Sequence, residues 1–125
     1  MKKLLLTVAA LLSFNIMAGE ITNFTEDKFK SLQDNNAPIL IDVKATWCPT
    51  CKKQAMVIKE YFKTNKDSNI TVLEVDYDDQ KKWVRFFKAP RQSTLVSYIG
   101  TQKIETTIAK KSKKDIFSQM KKIDK

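Results

Sequence analysis

Residues 39–52 read Ile39-Leu40-Ile41-Asp42-Val43-Lys44-Ala45-Thr46-Trp47-Cys48-Pro49-Thr50-Cys51-Lys52. The first five are apolar except for one acid, the pattern of a strand covered on both faces. Residues 45–49 turn out of it into a helix whose Ala55, Ile58, Tyr61 and Phe62 recur at helical spacing. A buried strand therefore delivers two cysteines to the first turn of a helix. Free backbone N–H groups and the helix dipole favour an anion at that place, and a thiolate is the anion available. A free cysteine ionises near pH ~8.5, and such surroundings lower the value to roughly 3.5–7.5. Cys48, nearer the N-terminus and expected to be the more exposed, is the candidate nucleophile. Cys51, one turn inward, is placed to resolve the mixed disulfide that Cys48 forms.

Outward from this segment the elements follow in order. Residues 20–24 suit a short edge strand. Thr25 can cap a helix over 26–33 with Phe29 and Leu32 inward, ended by Asp34, Asn35, Asn36 and Pro38. After a turn at Asp67, Ser68 and Asn69, residues 70–75 are β-branched and apolar, a second central strand. Residues 76–80 form an acidic turn before a short helix over 81–88 carrying Trp83, Val84, Phe86 and Phe87, closed by Pro90. Residues 94–99 and 103–108 make a hairpin about Gly100 and Thr101. Ser112 and Asp115 have capping-box spacing and open a last helix with Ile116, Phe117, Met120 and Ile123 inward. The order β-α-β-α-β-α-β-β-α predicts an α/β fold with a central mixed sheet of four to five strands and helices on both faces.

The chain has 125 residues, enough for one domain. Lys2 and Lys3, an apolar run to Met17, then Ala18 and Gly19 have the layout of a secretory signal peptide. The run is shorter than the roughly 20 residues a spanning helix needs. We expect cleavage after Ala18, or next to it after Gly19, leaving residues 19–125 as the domain; an uncleaved N-terminal anchor is the alternative. Loss of Lys2 and Lys3 would take the net charge from +9 to +7. Lys110, Lys111, Lys113, Lys114, Lys121, Lys122 and Lys125 show no aromatic interleaving and no nucleic-acid motif, so no nucleic-acid partner is expected. They read as a solvated helix face, with attraction to an acidic partner or anionic lipid as the alternative.

Two cysteines in an exported protein usually make a structural bridge, but this loop is too short to restrain the unfolded chain much. Its position points to chemistry instead. Half of a zinc site has the same spacing, yet there is no second cysteine pair and no His to complete it.

At this point the chain resembles the thioredoxin superfamily. Residues 45–52 look like its active-site segment, residues 73–79 like the strand and turn that follow, and residues 94–98 with Gly100 like its last hairpin. The Pro49-Thr50 spacer is similar to that of exported thioredoxin-like reductants serving cytochrome c maturation. The resemblance implies a thioredoxin fold and a thiol–disulfide oxidoreductase with Cys48 and Cys51 as the redox disulfide, needing no cofactor and no metal. It implies that Asp42 exchanges a proton with Cys51. A buried acid has a raised pKa, which suits transfer near neutrality. Trp47 is expected to cover the disulfide and, with Pro49, Gln92, Ser93 and Thr94, to form the docking surface. The expected partners are client proteins with disulfides or reactive thiols, and a membrane electron carrier that keeps a monomeric, periplasmic reductant reduced.

Three positions depart from the family. Ser93 stands where the family has a cis-proline. A cis bond before another residue costs roughly 3–4 kcal/mol, so either a trans Gln92–Ser93 bond or a strained cis bond is expected, in a polar docking loop. The missing proline also reopens metal binding: two chains could offer four thiolates to zinc or an iron–sulfur cluster. That carrier is the alternative function; a binding module whose disulfide only stabilises its surface is another. Lys44 replaces a frequent aromatic, and either lowers the Cys48 pKa or faces solvent. Glu74 replaces a Lys and would disfavour ionised Asp42 if the two are close.

Overall fold

The apolar run forms β2 (Pro38–Lys44), the middle strand of a five-stranded sheet of order β1-β3-β2-β4-β5. A computed structural model describes residues 19–124; the expected leader lies outside the described residues. Around β2 the chain forms β1 (Glu20–Asn23), α1 (Glu26–Asp34), α2 (Pro49–Thr64), β3 (Thr71–Asp76), α3 (Lys81–Phe86), β4 (Thr94–Ile99), β5 (Gln102–Ile108) and α4 (Lys113–Lys121). β1, β3 and β2 run parallel, β4 pairs antiparallel with β2, and β5 pairs antiparallel with β4. The predicted element order and mixed sheet are both present.

Six of the seven β2 residues are buried, and only Lys44 is partly exposed. Alternation divides the strand between two cores. Ile39, Ile41 and Val43 join Phe24, Phe29, Val84 and Phe87 on the α1/α3 face. Leu40 joins Val57, Ile58, Tyr61, Ile116 and Met120 on the α2/α4 face, and Asp42 follows Leu40 to that face. The acid therefore lies in the layer that carries the cysteines' helix. Burial of these Leu, Ile and Phe side chains contributes about 1.5–3 kcal/mol each, enough to hold an unfavourable acid among them.

Local signals set the helix starts. Thr25 accepts from the Lys28 N–H at 3.2 Å and Ser112 from the Asp115 N–H at 3.1 Å, each satisfying an otherwise orphaned donor. Helix α3 stops at Phe86, earlier than expected. Lys88 adopts φ 54°, so the chain leaves the helix through a left-handed residue before it reaches Pro90. The inward stripe of α2 also differs from expectation. It runs through Cys51, Gln54, Val57, Ile58 and Tyr61, with Ala55 and Phe62 only partly buried.

Candidate functional site

Cys48 is the N-cap of α2, with extended backbone at φ −91° and ψ 111°. Its sulfur accepts the Cys51 backbone N–H at 3.1 Å, so the side chain at the head of the helix takes one of the orphan donors. Pro49 follows in the first turn of the helix. Cys48 and Cys51 form a disulfide with Cα atoms 5.3 Å apart. When that bond is reduced, the same N–H points at the sulfur that would carry charge.

Cys48 is not the more exposed cysteine, contrary to expectation: it is 1% exposed and Cys51 4%. Both cysteines are buried in a cluster with Ala45, against which Tyr77 packs. Trp47 stands out from the surface beside it. It is 57% exposed, and its indole N–H donates to the Asp78 carboxylate at 2.9 Å. The turn that carries Asp78 is itself fixed: the Asp76 carboxylate accepts the N–H groups of Asp78 and Asp79, both at 2.9 Å. Trp47 is thus an apolar surface held upright beside Cys48, with Pro49 also exposed. Tyr77, with the Lys81 ammonium 3.8 Å from its ring centroid, is an aromatic packed on the cluster of Ala45 and the two cysteines, and the turn position gave no sequence signal for it.

Asp42 is 2% exposed, and one of its carboxylate oxygens has no hydrogen-bond partner. Burial first, and the neighbouring Glu74 carboxylate second, raise its pKa to about 7, against the opposing pull of Lys44. Lys44 does not stand free in solvent. It pairs with Glu74 at 2.6 Å. Asp42, Lys44 and Glu74 line one cleft of about 280 Å³ with Ala55, Ile58 and Lys59 of α2. A group ionising near neutrality beside a solvent-reaching cleft can accept and release a proton at physiological pH.

The segment before β4 differs from the expected docking loop. No described peptide bond is cis, so the Gln92–Ser93 bond is trans, and Ser93 adopts φ 59°. Its N–H donates to the Val43 carbonyl at 2.7 Å, and its carbonyl accepts from the Ala109 N–H at 2.9 Å. Ser93 and Thr94 are both fully buried, and the Thr94 hydroxyl donates to the Arg91 carbonyl. The hydrogen-bonding edge expected at Ser93 is therefore turned inward and already used. Arg91 is exposed and Gln92 partly so.

Gln54 ties the site together and was not singled out from sequence. Fully buried on α2, its amide donates to the Ser93 carbonyl at 3.1 Å and to the Lys110 carbonyl at 2.8 Å. The available signal was a polar residue where the helical period asks for an apolar one, since a buried amide needs partners. Among the described residues no group of three or more His, Cys, Asp or Glu could hold a metal.

A family model described as Thioredoxin matches residues 20–122. The chain is 29% identical over 86 residues to thioredoxin of Mycobacterium tuberculosis, covering 69% of this chain and 73% of that one. It is also 29% identical over 85 residues to the bifunctional thioredoxin reductase/thioredoxin of Mycobacterium leprae, spanning only 18% of that protein's length. Among solved structures, Trxlp from Edwardsiella tarda is 30% identical with a TM-score of 0.74, over 78% of this chain and 95% of that one.

Proposed function

The chain belongs to the thioredoxin family and is a thiol–disulfide oxidoreductase, and from that premise we propose that it reduces disulfides of client proteins in the periplasm. The observation that carries the role of Cys48 as the attacking sulfur is the Cys51 N–H donated to it at the head of α2. It favours the Cys48 thiolate in the reduced form.

The reaction begins with the reduced pair. The Cys48 thiolate attacks one client sulfur, the client S–S bond breaks, and the departing client thiolate takes up a proton from water. Cys51 then loses its proton to Asp42 and attacks the Cys48 sulfur. The mixed disulfide breaks, the second client sulfur leaves as a thiolate, and two electrons have passed to the client. The Cys48–Cys51 disulfide remains. Asp42 returns its proton through the cleft it shares with Lys44, Glu74 and Lys59.

The reductant reading is supported by the spacer. Pro49 removes one N–H from the helix head, and Thr50 brings only a hydroxyl, so no charged group sits between the cysteines to hold the thiolate as a strong oxidant does. Export is supported by the layout of residues 1–18, and in that compartment a membrane electron carrier would re-reduce the pair. Equilibrating the protein in glutathione buffers tests the direction. A potential nearer about −270 mV than about −120 mV is expected, and the latter value, the oxidant end of the scale, would reverse it. N-terminal sequencing of the exported protein should begin at Gly19.

A further inference from the structure

We infer that the groove beside Cys48, between the start of α2 and the loop before α4, receives an acidic segment next to the client's disulfide. The inference deepens the oxidoreductase reading and rests on it. The groove has a volume of about 520 Å³ and is lined by Pro49, Thr50, Lys53, Lys111 and Ser112. No carboxylate lines it. Lys52 and Lys53 stand on the first turns of α2, and Lys110 and Lys111 on the loop that faces them; all four are exposed.

What sets these four lysines apart is their place, at the groove that follows Cys48. Lys30, Lys44, Lys113 and Lys122 each pair with a glutamate. Among the described residues Lys52, Lys53, Lys110 and Lys111, like most of the other lysines, make no ion pair. The loop that carries two of them is not left to wander, because Gln54 holds the Lys110 carbonyl at 2.8 Å from one turn beyond Cys51. The positive end of α2 adds to the same field. A cation cluster with no carboxylate in its groove, beside the helix turn that follows Cys48, is complementary to carboxylates close to whatever sulfur Cys48 attacks.

The other side of Cys48 is mixed in sign. Trp47 is bonded to Asp78, and Asp79 is exposed beside it. The rim is therefore uneven: Asp78 and Asp79 stand with Lys81 on the Trp47 side, and lysines without a carboxylate line the Pro49 side. A client segment with its acids on the Pro49 side is drawn in, and one with bases there is repelled. Charge here selects the client and sets its direction, while the apolar surfaces of Trp47 and Pro49 contribute contact without sign.

The test uses the full exported protein and three disulfide peptides that differ only in the residues on one side of the bridge: acidic, neutral or basic. At low salt, kcat/KM for the acidic peptide should exceed that for the neutral one by about tenfold, and the advantage should shrink in high salt. The double variant Lys53→Glu with Lys111→Glu should invert the acidic-to-basic ratio. The same reversal at Lys114 and Lys121, away from the groove, should leave that ratio unchanged and so separate local from net charge. Equal kcat/KM for the three peptides would overturn this inference and leave the oxidoreductase reading standing. Failure to reduce any of them would overturn both.

Discussion

Asp42 stands directly across from Glu74 in the parallel pairing of β2 with β3, so two carboxylates share one cleft at the base of the site. Burial and this neighbour hold the Asp42 carboxyl protonated up to about pH 7, whereas a free side chain titrates near 3.8. Between those values the folded chain binds more protons than the unfolded chain, so stability falls as pH rises through the window and levels off above it. Asp42→Asn abolishes that slope. Its stability relative to the parent should rise by on the order of 4 kcal/mol between about pH 4 and about pH 8, as read from denaturant unfolding at each pH. The same variant should slow turnover by about 100-fold or more, since Cys51 loses its proton acceptor.

Lys44 and Glu74 act on Asp42 with opposite signs, which makes the pair a second, independent check. Lys44→Met removes the cation that favours the carboxylate and should move the Asp42 midpoint above about 7. Glu74→Gln removes the like charge and should move it below. Carbon NMR of the Asp42 carboxyl during a pH titration reads both shifts. Movement in the same direction would mean that the ion pair acts through packing rather than charge.

Ser93 should resist replacement by proline. At φ 59° a proline ring, fixed near −65°, does not fit, and the N–H donated to Val43 would be lost. Ser93→Pro should therefore cost roughly 2–4 kcal/mol. Ser93→Gly, free to adopt the left-handed region, should cost less than Ser93→Ala. Chemical denaturation of the three variants orders them. A proline variant as stable as the parent would show that the loop can rearrange to a backbone that proline accepts.

Trp47 should matter to clients and little to stability. Its side chain is mostly in solvent, so Trp47→Ala should shift the unfolding free energy by no more than about 0.5–1 kcal/mol, including the bond to Asp78. kcat/KM on a protein disulfide should fall by about tenfold, and by clearly more than on a small synthetic disulfide, if the ring is a docking anchor. Insulin reduction measured alongside a small-disulfide assay separates the two.

The fold was legible because its signals are local and redundant. The run 39–43 reads as a doubly covered strand, Thr25 and Ser112 read as caps, and Gly100 marks the hairpin. Each was found in place. The chemistry at Cys48 and Cys51 was legible for the same reason, since a strand, a turn and a helix start carry it. The rest depended on side-chain partners that no period encodes. Nothing in the sequence pairs Lys44 with Glu74 or packs Tyr77 on the cluster of Ala45 and the two cysteines. The inward turn of Ser93 follows from bonds to Val43, Ala109 and Gln54, three residues from three other parts of the chain.

The account depends most on the state of one sulfur. Titrating the reduced protein by thiolate ultraviolet absorbance, with alkylation rates to identify the residue, should give Cys48 a pKa clearly below the free value of about 8.5 and within roughly 3.5–7.5, with Cys48 alkylated before Cys51. A Cys48 that ionises like a cysteine in an unstructured peptide, or that reagents fail to reach while the chain stays folded, would contradict it.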